Sequence, residues 1–387
     1  MQKNYEQKFI SYALNLAKQN LGLTAPNPVV GCVITLDGKI IATGVTAKNG
    51  RPHAETIAIE KVANKKILEG AEIYITLEPC SHTGQTTPCV DEIIKYKFKK
   101  VVIATQDPDS RVDGKGIKKL RQANIDVVLG VMEKEAQEIN RGFFKARKSG
   151  LPFVTLKLAT SLDGKIATKD WDSKWITSDK ARQFGHYLRA TNDAILVGAN
   201  TVRQDNPSLD CRIAGLEKYS PRKVIVSNGL AFDLGLNIFQ GGSTIILTNS
   251  AKQILKQVQD DSGERCAHTL RHPELVSGSI HTGNLNIQTI LCTEKNGQVD
   301  LLDALKKLCA SGINSVLIEG GQNIATQFLK ENLVDELVWI RSKKIIGEDG
   351  ISAIGKMGFS KIAEIFNNLK RVETKELAED LIEIYRR

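Results

Sequence analysis

Apolar positions in residues 5–20 recur at helical spacing, with Phe9, Ala13, Leu14 and Leu16 on or near one face. The rhythm then shortens. "PNPVVGCVITLDGKIIATGV" holds two β-rich runs either side of Asp37-Gly38, a turn pair that predicts a hairpin. "AETIAIEKVANKK" returns to a helical pattern, "AEIYITLEPC" to a strand, "CVDEIIKYKFK" to a helix and "KKVVIATQDP" to a strand. "GKGIKKLRQANI" and "DVVLGV" add one more helix and strand. This alternation predicts a layered α/β domain. The charged helix "MEKEAQEINRGFFKARKSG" ends on a glycine, with Pro152 just beyond, which places a domain boundary near residue 148.

A second alternating series follows over 149–387. "PFVTLKLATSLDGKIA" reads as a strand with a turn at Asp163-Gly164, and "SDKARQFGHYLRATN" as a helix that Ser178 can cap. "DAILVGANTV", "RKVIVSN", "STIILT", "SVLIEGG" and "ELVWIRS" read as strands, and "NIATQFLKENL" as a helix. The second domain is therefore also an open α/β sheet. Residues 257–285 break the pattern. They are polar, carry three of the six histidines, and are expected to be a surface insertion without catalytic duty.

The 387 residues are 41% hydrophobic and 25% charged, enough chain for two or three globular domains. No apolar run approaches the ~18 residues of a membrane span. The amphipathic N-terminus lacks the apolar stretch of a signal peptide, so the expected compartment is the cytoplasm. There the seven scattered cysteines serve as thiols or ligands rather than disulfides. The net charge of +9 suits nucleic acid or anionic small molecules. Aromatics are only 5% and no basic block is interleaved with them, which favours a phosphorylated metabolite.

Candidate chemistry begins with His53-Ala54-Glu55, Pro79-Cys80 and Pro88-Cys89. One imidazole and two thiolates suit zinc, and three protein ligands leave a fourth position for water, as a catalytic site needs. Cys89 opens a predicted helix, whose free N–H groups favour a thiolate. His53 and Glu55 stand at another helix start. Zinc lowers the pKa of a bound water to about 7, and a carboxylate that is not a ligand can move its proton. His-x-Glu followed by two Pro-Cys pairs matches the zinc deaminase signature. The usual pattern has two residues between the cysteines, whereas "CSHTGQTTPC" has eight. An inert cysteine pair and a structural zinc remain as alternatives, the latter short of a fourth ligand.

"TAPNPVVGCVI", "HAET", "EPCSHTGQTTPC" and "QDPDSRVDGKGI" resemble the deaminase half of the bifunctional riboflavin-biosynthesis deaminase/reductase family. The resemblance implies a cytidine deaminase-like three-layer α/β domain over 1–148. It implies His53, Cys80 and Cys89 as zinc ligands, Glu55 as proton shuttle, and Asn27 and His82 as substrate contacts. The chain departs from the family at Gln85, where a Lys or Arg is usual.

The second domain lacks a G-x-G-x-x-G after its first strand, so no Rossmann fingerprint is present. "IEGGQNIATQFL" is a strand, a glycine pair and a helix, a turn that can hold a phosphate. Arg189 and Arg212 could clamp another. "LKLATSLDGKIA", "SKWIT", "LRATNDAILVGANTVRQDNPSL" and "LIEGG" resemble the reductase half of the same family, which implies a dihydrofolate reductase-like domain. By position, Ala159, Trp175, Thr177, Thr201, Asp205, Ser227, Gly320 and Gly321 imply NADPH contacts. Ser173, Arg189, Leu209, Arg212 and Glu319 imply substrate contacts, and Lys157 a role at the reacting sugar.

The implied chemistry is zinc-dependent hydrolytic deamination of 2,5-diamino-6-(5-phosphoribosylamino)pyrimidin-4(3H)-one, then NADPH-dependent reduction of its ribosyl group to ribityl. Expected partners are this small molecule and further copies of the chain, with no nucleic acid and no membrane. The alternative is a zinc deaminase for another nucleotide or nucleic acid, with an inactive or binding-only second half.

Overall fold

The computed structural model describes residues 2–82, 87–250, 277–282, 285–365 and 368–387. The chain divides into two compact units, Met1–Leu151 and Pro152–Arg387.

In the first unit, α1 (Gln2–Lys18) buries Phe9, Ile10, Ala13, Leu14 and Ala17. Strands β1 (Gly31–Leu36) and β2 (Lys39–Val45) form the hairpin, with Asp37 and Gly38 both at positive φ, as a tight two-residue turn requires. Strands β3 (Glu72–Ile75), β4 (Lys100–Ile103) and β5 (Asp126–Leu129) complete a sheet of order β2-β1-β3-β4-β5. β2, β1 and β3 are antiparallel neighbours; β3, β4 and β5 run parallel. Helices α2 (Ala54–Glu60), α3 (Cys89–Lys95) and α4 (Lys115–Gln122) bury apolar residues with one face of the sheet, while α1 packs on the other. The charged helix expected after Met132 is two helices, α5 (Glu133–Ile139) and α6 (Arg141–Ser149). Asn140 breaks them and uses both side-chain atoms on the backbone of Val29, at 2.9 Å each.

The second unit holds β6 (Phe153–Thr160), the short β7 (Lys165–Ala167) and α7 (Asp179–Ala190). Ser178 caps α7 by accepting from the amide of Ala181. β8 (Ala194–Gly198) runs straight into α8 (Ala199–Asp205), so "ANTV" is helix where the sequence pattern predicted strand. Gly198 needs no positive φ there; the strand simply turns into a helix N-cap. β9 (Arg222–Val226), β10 (Ser243–Thr248), β11 (Ser277–Thr282), β12 (Leu285–Leu291), the small β13 (Glu294–Lys295) and β14 (Gln298–Val299), and β15 (Ser315–Ile318) follow. β16 (Glu336–Arg341), the short β17 (Ile351–Ser352), β18 (Lys370–Leu377) and β19 (Asp380–Arg386) end the unit. Its main sheet has the order β11-β12-β10-β9-β8-β15-β6-β16-β19-β18, parallel from β12 to β16. Most of 257–285 lies outside the described residues. The described part, β11, is not a loop: it pairs antiparallel with β12 at the sheet edge. No helix among the described residues is long and apolar enough to cross a membrane.

Candidate active sites

In the first unit the chemistry gathers where β3 and β4 end, outside the carboxyl ends of parallel strands, the usual place for a ligand crevice. His53 is the N-cap residue of α2, and Cys89 is the first residue of α3 after Pro88. Cys80 lies five residues beyond β3. His53 Nδ1 is 3.3 Å from Cys89 Sγ and 3.6 Å from Cys80 Sγ, and the three ligand atoms all lie within 4.8 Å of one another. Tetrahedral bonds of ~2.0 Å to nitrogen and ~2.3 Å to sulfur separate such donors by about 3.5 Å. The donor set therefore fits zinc without rearrangement and leaves one position open.

Glu55 sits in the first turn of α2, 3% exposed, and burial pushes its carboxyl up to about 7. Beneath it the thiol of Cys32 is pushed up by burial and then by the Glu55 charge, so it forms a neutral wall. Stabilisation by the helix start at Cys89 is expected for that residue's own thiolate. The structure gives it to the other sulfur: the Cys89 amide donates to Cys80 Sγ at 3.3 Å. The Cys89 side chain also bonds to Cys80 and holds it down at about 4, while the same contact pushes Cys89 up.

Asn27 donates to the carbonyl of Gly50 at 3.1 Å, three residues before His53. Gly50 has φ +81°, and a Cβ there would lie 2.3 Å from Asn27 Nδ2. Nδ1 of His82 is buried without a hydrogen-bond partner among the described residues, an orphan that a bound molecule would satisfy. Gln85 lies outside the described residues.

Sequence reasoning missed Glu78. Its carboxylate, 3% exposed, accepts four backbone N–H groups: Asp107 at 3.2 Å, Gly114 and Gly116 at 2.9 Å, and Ile117 at 3.1 Å. It thereby ties the segment after β4 to the strand that delivers Cys80. Gly116 packs so closely that a Cβ would meet the Pro79 carbonyl at 2.4 Å. The only sequence signal was an acidic residue beside a Pro-Cys pair.

In the second unit a cavity of about 1000 Å³ opens at the carboxyl ends of β6, β8, β9 and β15. That volume is at the top of the range for cofactor pockets. Lys157, Ala159, Ser173, Trp175, Thr177 and Arg189 line it. So do Thr201, Asp205, Leu209, Ser227, Glu319, Gly320 and Gly321. Arg212 does not reach it. It borders an adjoining cavity of about 180 Å³, which shares Lys157, Arg189 and Glu319 with the larger one.

Local backbone explains several of these placements. Gly320 must lack a side chain, because a Cβ would lie 1.8 Å from Ile324 Cγ2, and this turn starts the helix Gln322–Lys330. Trp175 and Leu209 hold positive φ of 67° and 55°, a costly conformation for bulky residues and one that concentrates at functional sites. Trp175 is 63% exposed, with the Arg182 guanidinium 4.2 Å from its ring centre. The Ser227 hydroxyl bonds within its own turn, to Gly229.

Glu319 is the electrostatic hub. Arg189 donates to both its oxygens at 2.8 and 3.0 Å, and Lys157 Nζ is 3.5 Å away. Burial raises the carboxyl, but the two cations outweigh it and pull it down to about 2.

These two sites define a two-centre enzyme: a zinc-type deaminase centre on one α/β unit and a cofactor-sized cleft on another. The family described as the cytidine and deoxycytidylate deaminase zinc-binding region matches residues 3–105, and the RibD C-terminal domain matches residues 152–382. The riboflavin biosynthesis protein RibD of Aquifex aeolicus is 36% identical, with 100% of each chain covered. That of Escherichia coli is also 36% identical, with 93% of each covered. The crystal structure of a diaminohydroxyphosphoribosylaminopyrimidine deaminase/5-amino-6-(5-phosphoribosylamino)uracil reductase from Thermotoga maritima is similar, with a TM-score of 0.83 at 33% identity. It covers 100% of this chain and 99% of its own. The chain belongs to the RibD family, the bifunctional deaminase/reductases of riboflavin biosynthesis. Its cofactors are zinc and NADPH, and its fold is a cytidine deaminase-like domain followed by a dihydrofolate reductase-like one. Matches across both halves favour this reading over a lone deaminase.

Proposed function

We propose that the first unit deaminates 2,5-diamino-6-(5-phosphoribosylamino)pyrimidin-4(3H)-one and that the second reduces the ribosyl group of the product to ribityl. The observation that carries the first assignment is the buried Glu55 beside a three-donor cluster of His53, Cys80 and Cys89. Zinc held by those donors supplies Lewis-acid activation of water. Glu55 takes the proton released and passes it to the departing amine, a task suited to a carboxyl whose pKa lies near neutrality. Asn27 and the orphan His82 Nδ1 orient the pyrimidine.

In the second unit NADPH supplies the hydride. Ala159, Trp175, Thr177, Thr201, Asp205, Ser227, Gly320 and Gly321 form the cofactor side of the cavity. Ser173, Arg189, Leu209, Arg212 and Glu319 form the substrate side across the two cavities. Lys157, fixed by Glu319, donates to the sugar oxygen as the ring opens at C1. The chain works in the cytoplasm, where its free cysteines stay thiols. It assembles with copies of itself, for which the exposed outer edge of β18 is available.

The test is zinc content and ammonia release, without NADPH, for wild type and Glu55→Gln. Zinc in both proteins with ammonia from wild type alone is expected. Absence of zinc from the wild type, or ammonia from the variant at the wild-type rate, would refute the assignment.

A further inference from the structure

We infer that Lys344 is a positioning residue for the cofactor: its ammonium holds the backbone of Trp175 in the left-handed conformation that shapes one wall of the large cavity. The inference rests on the reading of that cavity as the NADPH site. Trp175 has φ of 67° and is 63% exposed. A residue with a Cβ disfavours that conformation, and an exposed ring gains little packing to offset it. Another contact must hold it.

Residues 168–178, between β7 and α7, form no helix or strand. The first half of this strap closes on itself. The Thr168 and Trp171 amides donate to the carbonyls of Asp172 and Thr168 at 3.0 and 3.1 Å, and the Lys174 amide donates to Asp172 Oδ1 at 3.1 Å. The far end is tied separately: Arg182 donates to the Thr177 carbonyl at 2.6 Å, and the Ser178 amide to Asp380 at 2.7 Å. Trp175 lies between these two ties. Arg182 stacks on its ring, and Lys344 Nζ, 169 positions along the chain, donates to its carbonyl. A bond to that carbonyl orients the planar peptide that follows Trp175 and so fixes its ψ.

Lys344 can anchor the strap because its own backbone is pinned. Its carbonyl accepts from the Leu162 amide at 2.6 Å, and its amide donates to the Ser342 hydroxyl at 3.3 Å. Just beyond it, the Ile346 and Gly347 amides donate to the Asp163 carboxylate at 3.1 and 2.8 Å. Asp163 also accepts from the Ser161 hydroxyl at 2.6 Å. The 161–163 turn continues β6, the strand that carries Lys157 and Ala159 into the cavity. The clasp therefore runs from the strand under the cavity to its outer wall.

The rival role for Lys344 is a direct contact with a cofactor phosphate. The two roles separate once residue 175 is a glycine, which adopts positive φ freely. The experiment titrates NADPH calorimetrically into full-length wild type, Lys344→Met, Trp175→Gly and the double variant. It also measures kcat for reduction of 5-amino-6-(5-phosphoribosylamino)uracil at saturating NADPH. Lys344→Met is expected to weaken NADPH binding about tenfold, the scale of the left-handed penalty, because only chains with the wall in place bind. Its kcat is expected to stay within about twofold of wild type, since Lys157 and Glu319 are untouched. In the Trp175→Gly background the same substitution is expected to change the affinity by less than about twofold. A loss of full size in that background, or none in the wild-type background, would overturn the inference. Failure of wild type to bind NADPH would instead overturn the reading of the cavity, and the inference with it.

Discussion

Replacing Glu78 by alanine tests how the zinc ligands are held. Four N–H groups converge on its carboxylate at 2.9–3.2 Å, in a place that is 3% exposed. Each buried donor left without a partner costs about 1–3 kcal/mol. Four at the low end give ~4 kcal/mol, a cost that falls on the 107–117 segment and on the Pro79-Cys80 turn packed against it. If even ~3 kcal/mol of this is lost from the conformation that presents Cys80, zinc affinity falls by about 100-fold, the upper scale for removing a group behind a metal ligand. Glu78→Gln is expected to fall between, since one amide oxygen can still accept while its NH₂ faces two donors. The assay is chelator competition for zinc, with ammonia release read in parallel. Reduction of the deaminated substrate is the internal control, because Glu78 lies in the other unit. Wild-type zinc affinity in Glu78→Ala would refute the reasoning, as would an equal loss of both activities.

A side chain at position 44 should break the same site from the opposite side. The Cβ of Gly44→Ala would lie 2.0 Å from the carbonyl of Ala54, so α2 and its N-cap His53 must move; a loss of about tenfold or more in zinc affinity is expected by chelator competition. Asp107 makes a pH prediction. Burial pushes its carboxyl up to about 6, above the unfolded value near 3.9, so the native state keeps a proton that the unfolded chain releases between those pH values. Its contribution therefore turns unfavourable as pH rises through that window. Asp107→Asn, which mimics the protonated form, should raise the unfolding free energy from urea titration above pH ~6, by about 3 kcal/mol at most, and give no gain below pH ~4. A gain of equal size at both ends would contradict the sign.

Parts of this were legible in the sequence for a local reason. The Asp37-Gly38 turn, the Ser178 cap and the helix starts at His53 and Cys89 depend on neighbours within a few positions. The three zinc-type donors were legible because each stands at a fixed offset from a helix start or a proline. What was hidden depends on partners far along the chain. Glu78 draws its donors from 29 to 39 residues away, and Arg189 meets Glu319 across 130. The insertion of β15 between β8 and β6 likewise has no local signature, since parallel order follows from crossover connections rather than from turns. "ANTV" misled because it follows the apolar run of β8 without a break, and nothing local marks where the strand gives way to a helix.

The tryptophans give the second unit a built-in optical signal. The chain has three, and two of them, Trp171 and Trp175, lie exposed at the wall of the large cavity. The third, Trp339, is anchored in β16 by a hydrogen bond to Thr160. Reduced nicotinamide absorbs where indole emits, so NADPH entering the cavity will quench most of the intrinsic fluorescence and emit in its own band. Cofactor affinity can thus be titrated on the unlabelled chain, through the two indoles of the cavity wall.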